Sequence, residues 1–506
     1  MSISTPDWVK DAVFYQIFPD RFARSERLPN SSHFEAWDSP PTTFGFKGGD
    51  LLGVVEHLDY LQDLGVTALY LTPIFASAAN HRYHTYDYFT VDPLLGGNAA
   101  LRELLDKAHA RRMRIVLDGV FNHASRGLWQ FHHVLENGAA SPYTEWFHFD
   151  PDRLTGKRHF AAYPDPAARQ ALRDGVSSYQ AIGYQAWWNL PALPKFNTDT
   201  PAVREFLWSV ATHWIEFGID GWRLDVPSEI KDDAFWQEFR HRVKALNPEA
   251  YLVGEIWRPA QQWLQGDQFD AVMNYPFAVG CLGFCGGDQL DLNEVRRTGG
   301  LRQVRPLTAT EFADYIDWLL GLYDPAITAV QLNLLDSHDT PRFLTNVRGD
   351  EKALQLAFLL LYTLPGAPCV YYGDEIGVDG RHDPDCRKTF PWDSSRWNHD
   401  LHTYVKKCGA LRRDYSALRR GAYIRLYADQ TVYAFGRTQG DEVVIIALNA
   451  SSERQEIEVQ AASVGLHEGA MCDVWSGRQY ALTEGMLRQV QLAPRAGVVL
   501  TQVKAS

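Results

Sequence analysis

Short, unbroken apolar runs alternate along this chain with longer segments whose apolar residues recur at helical spacing. The runs are AVFYQIF (12–18), VTALYLT (66–72), RIVLDGV (114–120), IDGWRLDV (219–226), AYLVGEI (250–256), DAVMNY (270–275), AVQLNLL (329–335) and PCVYYG (368–373). Continuous runs of this length predict strands buried on both faces, as in a parallel sheet covered by helices. The intervening DLLGVVEHLDYLQDLG, NAALRELLDKAHARRM, PAVREFLWSVATHWIEFG and KALQLAFLLLYTLPG are amphipathic, and HTYVKKCGALRRDYSALRR supplies the eighth helix. Gly65, Gly218 and Gly366 each close a helical pattern before the next run, where a left-handed cap costs least with glycine. Strand then helix, eight times over, predicts an α/β fold, a (β/α)8 TIM barrel.

Two regions break the rhythm. Residues 124–198, after the third strand, are rich in Pro, aromatics and His and show no long period, which predicts an inserted subdomain over the barrel top. After about residue 421 the pattern turns to alternation, in YIRLYA, TVYAFGR, EVVIIALNA, RQEIEVQ and VVLTQV, which predicts a small C-terminal antiparallel β-sandwich. The expected domains are a barrel of residues 1–123 and 199–420, an insertion of 124–198 and a sandwich of 421–506.

Charge and composition narrow the partners. A net charge of −13 argues against nucleic acid and anionic membranes, because phosphate binding needs clustered Lys and Arg. No basic-then-apolar leader opens the sequence and no apolar run reaches a membrane span, so a cytoplasmic location is expected. Six cysteines in 506 residues are too sparse for a disulfide scaffold and are expected as buried free thiols. The sixteen Trp are core material first, but also what a binder of flat sugar faces would use.

Barrels of this kind carry chemistry at the carboxyl ends of their strands. There this sequence puts Asp118, Asn122 and His123 (DGVFNH), Arg223 and Asp225 (GWRLDVPSE), Glu255 (VGEIW), and His338 and Asp339 (LLDSHDT). A lone strand-end Asp is commonly a helix N-cap and a lone His ordinary packing. Four carboxylates and an Arg on one rim instead suit glycoside hydrolysis, in which one carboxylate attacks the sugar and a second protonates the leaving oxygen. Arg223 and Asp225, two apart on a strand, share the lumen face, while Trp222 and Leu224 face the helices. A cation there would hold the nucleophile ionised.

These four motifs, in this order, resemble the signature regions of the α-amylase family, glycoside hydrolase family 13; LPKFN (193–197) and GDEIG (373–377) match two further regions. The resemblance spans nearly the whole chain. It implies Asp225 as nucleophile, Glu255 as acid/base and Asp339 as transition-state stabiliser, with Arg223 positioning Asp225 and His123 and His338 binding the reacting sugar. NHRYHTYDYF (80–89) resembles the loop after strand two, giving Tyr83 as a stacking platform with His81 beside it; DPDCR (383–387) gives Asp383 and Arg387 as sugar ligands. Asp118 and Asn122 are expected to hold the rim together. WWNLPALPKFN and FDAVMNYPF look most like the neopullulanase, cyclomaltodextrinase and maltogenic amylase branch, in which Glu229 is also Glu. That branch cleaves α-1,4 and often α-1,6 bonds in pullulan, cyclodextrins and maltodextrins, and transfers glucosyl groups.

Two features depart from the pattern. The first strand begins near residue 12, so the branch's N-terminal β-domain, with the dimer and roofed pocket it builds, is not expected, and the oligomeric state stays open. The segment ARSERLPNSS lacks an Asp-rich calcium loop, leaving Asn122 as the one calcium candidate, with no cofactor required. Two alternatives remain: a 4-α-glucanotransferase, which shares the covalent intermediate, and an inactive carbohydrate-binding or scaffold relative on the same fold. A hydrolytic metal centre lacks its HxH or HExxH spacing.

Overall fold

A computed structural model describes residues 3–503. Eight short parallel strands close into a barrel: β1 (Phe14–Ile17), β2 (Ala68–Leu71), β3 (Arg114–Gly119), β4 (Gly221–Leu224), β5 (Tyr251–Gly254), β6 (Ala271–Asn274), β7 (Leu332–Leu334) and β8 (Ala367–Tyr371). Each lies within a predicted run or, at Ala367, one residue outside it. Closure is made by β1 beside β8, with Phe14 opposite Cys369. Alternate residues fill the lumen floor, among them Phe14, Tyr70, Val116, Tyr251, Val253 and Met273. Their neighbours, including Leu69, Ile115, Leu117, Trp222, Leu224 and Leu252, enter the main core beneath the helices. The period of two thus divides each strand between two cores. Gly65, Gly218 and Gly366 all adopt left-handed φ, at 88°, 111° and 114°, as the capping argument requires.

A hairpin not foreseen in the sequence, Phe75–Ser77 with Thr85–Val91, follows β2 and carries His81 and Tyr83 in its turn. Residues 124–198 hold short helices, among them Trp129–Asn137 and Pro166–Arg173, with isolated bridges in place of a sheet. Aromatic packing holds this segment: Phe131 sits edge-on to Phe147 and Tyr184 at 5.1 and 4.9 Å, and Phe147 stacks on Phe196 at 5.3 Å.

The C-terminal strands are β9 (Ala422–Ala428), β10 (Val432–Gln439), β11 (Glu442–Asn449), β12 (Gln455–Gln460), β13 (Gly469–Asp473), β14 (Gln479–Thr483), β15 (Met486–Leu492) and β16 (Ala496–Gln502). The expected antiparallel sandwich is present, built as one continuous ladder folded on itself and ordered β9-β10-β11-β16-β13-β14-β15-β12. The reason is β16, which pairs with both β11 and β13 and so carries the ladder across what would be the gap between sheets. Register shifts at Arg425/Tyr427 and Ile457/Val459 add the local bend and twist that wrap it around its own core of Val432, Ile445, Val459, Leu482, Leu487 and Leu500.

All six cysteines are free, and five of them are buried. Among the described residues no helix is long and apolar enough to cross a membrane.

Candidate active site

The carboxyl ends of the strands open into a cavity of about 600 Å³. His81, Tyr83, His123, Asp225, Glu255, Asp339, Asp383 and Arg387 all border it, and Arg223 and His338 lie fully buried beneath them. Asn122 lies buried behind His123, so every residue singled out for the site reaches the cavity wall or the layer under it.

Arg223 organises the floor. Its Nη1 donates to Asp118 Oδ1 at 2.9 Å and to Asp225 Oδ1 at 3.1 Å. Its Nη2 lies 3.0 Å from Glu255 Oε2, in ionic contact but off the hydrogen-bond axis. The remaining Nε points at Met273 Sδ, 3.3 Å away, so the charge is spent almost wholly on carboxyls. Asp118 also accepts from the Tyr70 and Tyr83 hydroxyls, at 2.8 and 2.9 Å. It is enclosed and cannot touch a ligand, in keeping with the rim-holding role expected of it.

Asp225 and Glu255 end adjacent strands. Glu255 accepts from Trp257 Nε1 at 3.0 Å and from the Val226 backbone N–H at 3.1 Å. Burial pushes the pKa of both carboxyls upward, and the Arg223 guanidinium opposes that rise in each. The Glu255 and Asp118 charges add to the rise at Asp225, and the Asp339 charge adds to that at Glu255. Between them the chain turns sharply: Val226 has φ 35° and ψ 50°, a left-handed conformation rare for a β-branched residue, and Pro227 follows. The turn aims the Val226 N–H at Glu255 while the Asp225 N–H still pairs with Gly119 O.

Across the cavity, Gln16 Nε2 donates to His338 Nδ1 at 2.8 Å, which leaves the proton on Nε2. That Nε2 faces the Tyr83 hydroxyl at 2.7 Å and Asp339 Oδ2 at 3.1 Å. Burial lowers the His338 pKa to about 3, so the ring is neutral; its Nε2–H is directed at the Tyr83 hydroxyl, and its closeness to Asp339 is not an ion pair. Burial would raise Asp339, yet His338, Arg387 and Arg223 together hold it below the usual carboxylate range. Since His338 is neutral, the two arginines carry that effect near pH 7. Arg387 reaches Asp339 at 3.2 Å and Asp383 at 3.1 Å, tying the DPDCR segment to the site. His123 is also neutral, its pKa lowered by burial to about 3; Asn122 Nδ2 donates to its Nδ1, and its Nε2 has no protein partner.

Residues 16–420 match the alpha amylase catalytic domain, and residues 423–500 a neopullulanase-like C-terminal domain. The chain belongs to the α-amylase family. It is 44% identical over 456 residues, 89% of its length, to a cyclomaltodextrinase of Geobacillus thermopakistaniensis (strain MAS1), of which it covers 71%. Among solved structures it resembles Ttha1563 from Thermus thermophilus, with a TM-score of 0.89 and 47% identity over 98% of this chain and 100% of that one. It also resembles a debranching enzyme from Nostoc punctiforme, with a TM-score of 0.85 and 46% identity over 99% and 100%.

Several residues of this α-amylase-family glycosidase escaped the sequence reading. Trp257, two residues after Glu255, was legible in VGEIW as a side chain on the same face. It stacks on Tyr275 with ring centroids 3.6 Å apart. It also needs Gly300, where a Cβ would lie 2.2 Å from the indole. Gln16 and Tyr70 had no local signal: barrel closure brings Gln16 to His338, and the pairing of β2 with β3 brings Tyr70 to Asp118. A neighbouring cavity of about 390 Å³ shares Glu255 and Trp257 and adds Ser228, Glu229 and Arg258.

Asn122, the calcium candidate, is buried beside His123. Calcium takes about 6–8 oxygen ligands. Asn122 offers one unpartnered Oδ1 beside the His123 ring, and no group of three or more His, Cys, Asp or Glu converges there or elsewhere among the described residues. The next residue, His123, is bridged to Lys195, whose Nζ points away to the Glu229 carbonyl at 3.1 Å.

Proposed function

We propose that this protein hydrolyses α-1,4-glucosidic bonds in maltodextrins and cyclodextrins, with retention of configuration, and that α-1,6 bonds are accepted in the same site. The observation that carries this reading is the bridging guanidinium: Asp225 and Glu255 contact neighbouring nitrogens of Arg223 at 3.1 and 3.0 Å. That arrangement supports the short spacing of a retaining pair, about 5–5.5 Å, over the roughly 6.5–9.5 Å of an inverting pair. Asp225, hydrogen-bonded to Arg223, attacks the anomeric carbon as Glu255 gives its proton to the departing oxygen. A glucosyl ester on Asp225 results. Glu255, now ionised, takes a proton from water, whose oxygen displaces Asp225. Asp339, kept anionic by Arg387, accepts from ring hydroxyls and stabilises the positive charge that develops on the sugar. The unpartnered His123 Nε2–H is free to donate to a hydroxyl of the reacting sugar. The size and open mouth of the cavity suit a glucan segment, and relatives named cyclomaltodextrinase and debranching enzyme support the substrate class.

Asp225→Ala and Glu255→Gln are expected to lower kcat on maltodextrin by several orders of magnitude, with circular dichroism and Tm close to the parent's. Near-parental activity in either variant overturns the assignment. Products from pullulan report the bond: panose means α-1,4 cleavage and maltotriose α-1,6 cleavage.

The adjoining cavity at Glu255 and Glu229 favours a second activity, glucosyl transfer to an acceptor sugar bound there in place of water. Added glucose should then divert product from maltose to longer transfer products. An unchanged product ratio rejects it.

A further inference from the structure

The cavity mouth carries a feature that the acid, base and nucleophile leave unexplained. Trp188 is a large apolar residue with 76% of its surface exposed, and it borders the cavity. Its backbone is left-handed, with φ 51° and ψ 27°, and the next residue, Asn189, has φ 57°. Two consecutive non-glycine residues in that region are strained, and strain persists only where the surroundings over-determine it.

The surroundings do so here. The Trp187 N–H bonds Leu193 O at 2.9 Å and the Leu190 N–H bonds Trp187 O at 2.9 Å, closing the turn on itself. Asn189 Oδ1 accepts from the Ser178 N–H at 2.9 Å, and Ser178 Oγ accepts from the Ala186 N–H at 2.8 Å, pinning both ends to a helix. A turn built only for packing would bury its tryptophan. This one holds the indole out at the cavity wall.

The rings form a series. Trp187 lies parallel to His123, centroids 6.2 Å apart with 7° between the planes, and Trp188 stacks on Trp187 at 5.2 Å and 20°. His123 stands at the floor beside the reactive carboxyls, so the series runs outward from there to the mouth. The second cavity, on the side of Glu229, includes neither tryptophan.

We propose that Trp188, propped by Trp187 and presented by the strained turn, is a stacking platform for a glucosyl unit of the substrate beyond the reacting one. It would set a preference for longer glucans. The apolar face of a glucopyranose, with its axial C–H groups, would lie against the indole, and its hydroxyls would stay in water. The proposal rests on the glucan-hydrolase reading above.

The test compares kcat/KM for maltoheptaose and maltotriose in the intact protein and in Trp188→Ala, Trp188→Phe and Trp188→Gly. In Trp188→Ala the ratio of the two should fall about tenfold, through KM for the longer substrate, the scale of one lost aromatic contact. Trp188→Phe should recover most of it. Trp188→Gly should lose the preference like the alanine variant but show a higher Tm than it, because glycine alone relieves the left-handed strain. A ratio unchanged in Trp188→Ala overturns the platform. An intact protein that cleaves neither maltooligosaccharide overturns the underlying reading instead. As a readout independent of turnover, β-cyclodextrin added to Asp225→Asn should quench tryptophan fluorescence. That quench should shrink when Trp188→Phe is combined with it; an equal quench in both also counts against the platform.

Discussion

Arg223 is the residue on which the reactive carboxyls depend. One guanidinium bonds Asp118 and Asp225 and touches Glu255, three carboxyls that burial alone would drive to their protonated forms. A planar fork can do this and a point charge cannot, so Arg223→Lys is not a conservative change. The lysine ammonium cannot span all three partners, and the opposition to burial weakens at Asp225 and Glu255. Their pKa values then rise further, so the acid limb of the kcat/KM profile should move to higher pH. At the optimum kcat should drop about 10²–10³-fold, the cost of losing one preorganised donor. A titration of rate against pH checks this; an acid limb that stays in place shows that Arg223 does not tune the pair. Val226 beside it carries backbone strain of about 1–3 kcal/mol, as residues that aim catalytic groups commonly do.

At the scale of elements, the first and last strands are locked by a buried carboxyl that takes no part in the cavity. Glu375, in the GDEIG turn after β8, accepts from Tyr15 on β1 at 2.8 Å, from Tyr60 on helix Leu58–Asp63 at 2.6 Å and from the Gly373 N–H at 2.9 Å. Burial raises its pKa to about 7 in spite of those donors. A carboxyl whose folded pKa exceeds its unfolded value binds its proton more tightly when folded. Its stabilising effect is therefore complete below about pH 4.5 and is lost as pH climbs through about 7, roughly 3 kcal/mol in all. Glu375→Gln should remove that slope, leaving a variant whose urea midpoint changes less than the parent's between about pH 5 and 8; parallel midpoints across that range refute it. The same elements show where sequence is readable. Strands buried on both faces, such as AYLVGEI, announce themselves as apolar runs. Strands β13, β14 and β15 bury only part of their side chains, at intervals, and their short polar stretches look like loops. The reactive residues were legible because each follows a readable strand. Gln16, 322 positions from His338, and Trp188, in an aperiodic insertion, become functional only through closure and packing.

Over the whole molecule, the barrel and the C-terminal sheet share one core. Tyr433, Phe435, Val444, Ile446, Leu448 and Val499 from the sheet join the same apolar cluster as the barrel helices. Phe312 meets Tyr433 edge-on at 5.3 Å, and Arg495 bridges to Asp350 at 2.8 Å and to the Cys285 carbonyl at 2.6 Å. The buried Arg437 donates to the Thr363 and Gly421 carbonyls, so the sheet also satisfies backbone groups at the end of helix Glu351–Thr363. Exposing six such apolar side chains costs about 1.5–3 kcal/mol each, which together rivals the whole stability of about 5–15 kcal/mol typical of a folded domain. The sheet should therefore act as part of one cooperative unit even though its own inner core is separate. Calorimetry of the intact chain should give a single transition, and a chain ended at residue 420 should aggregate or unfold without cooperativity. If the shortened chain melts at the parental temperature, the shared face contributes packing without stability, and the sheet's role must lie elsewhere.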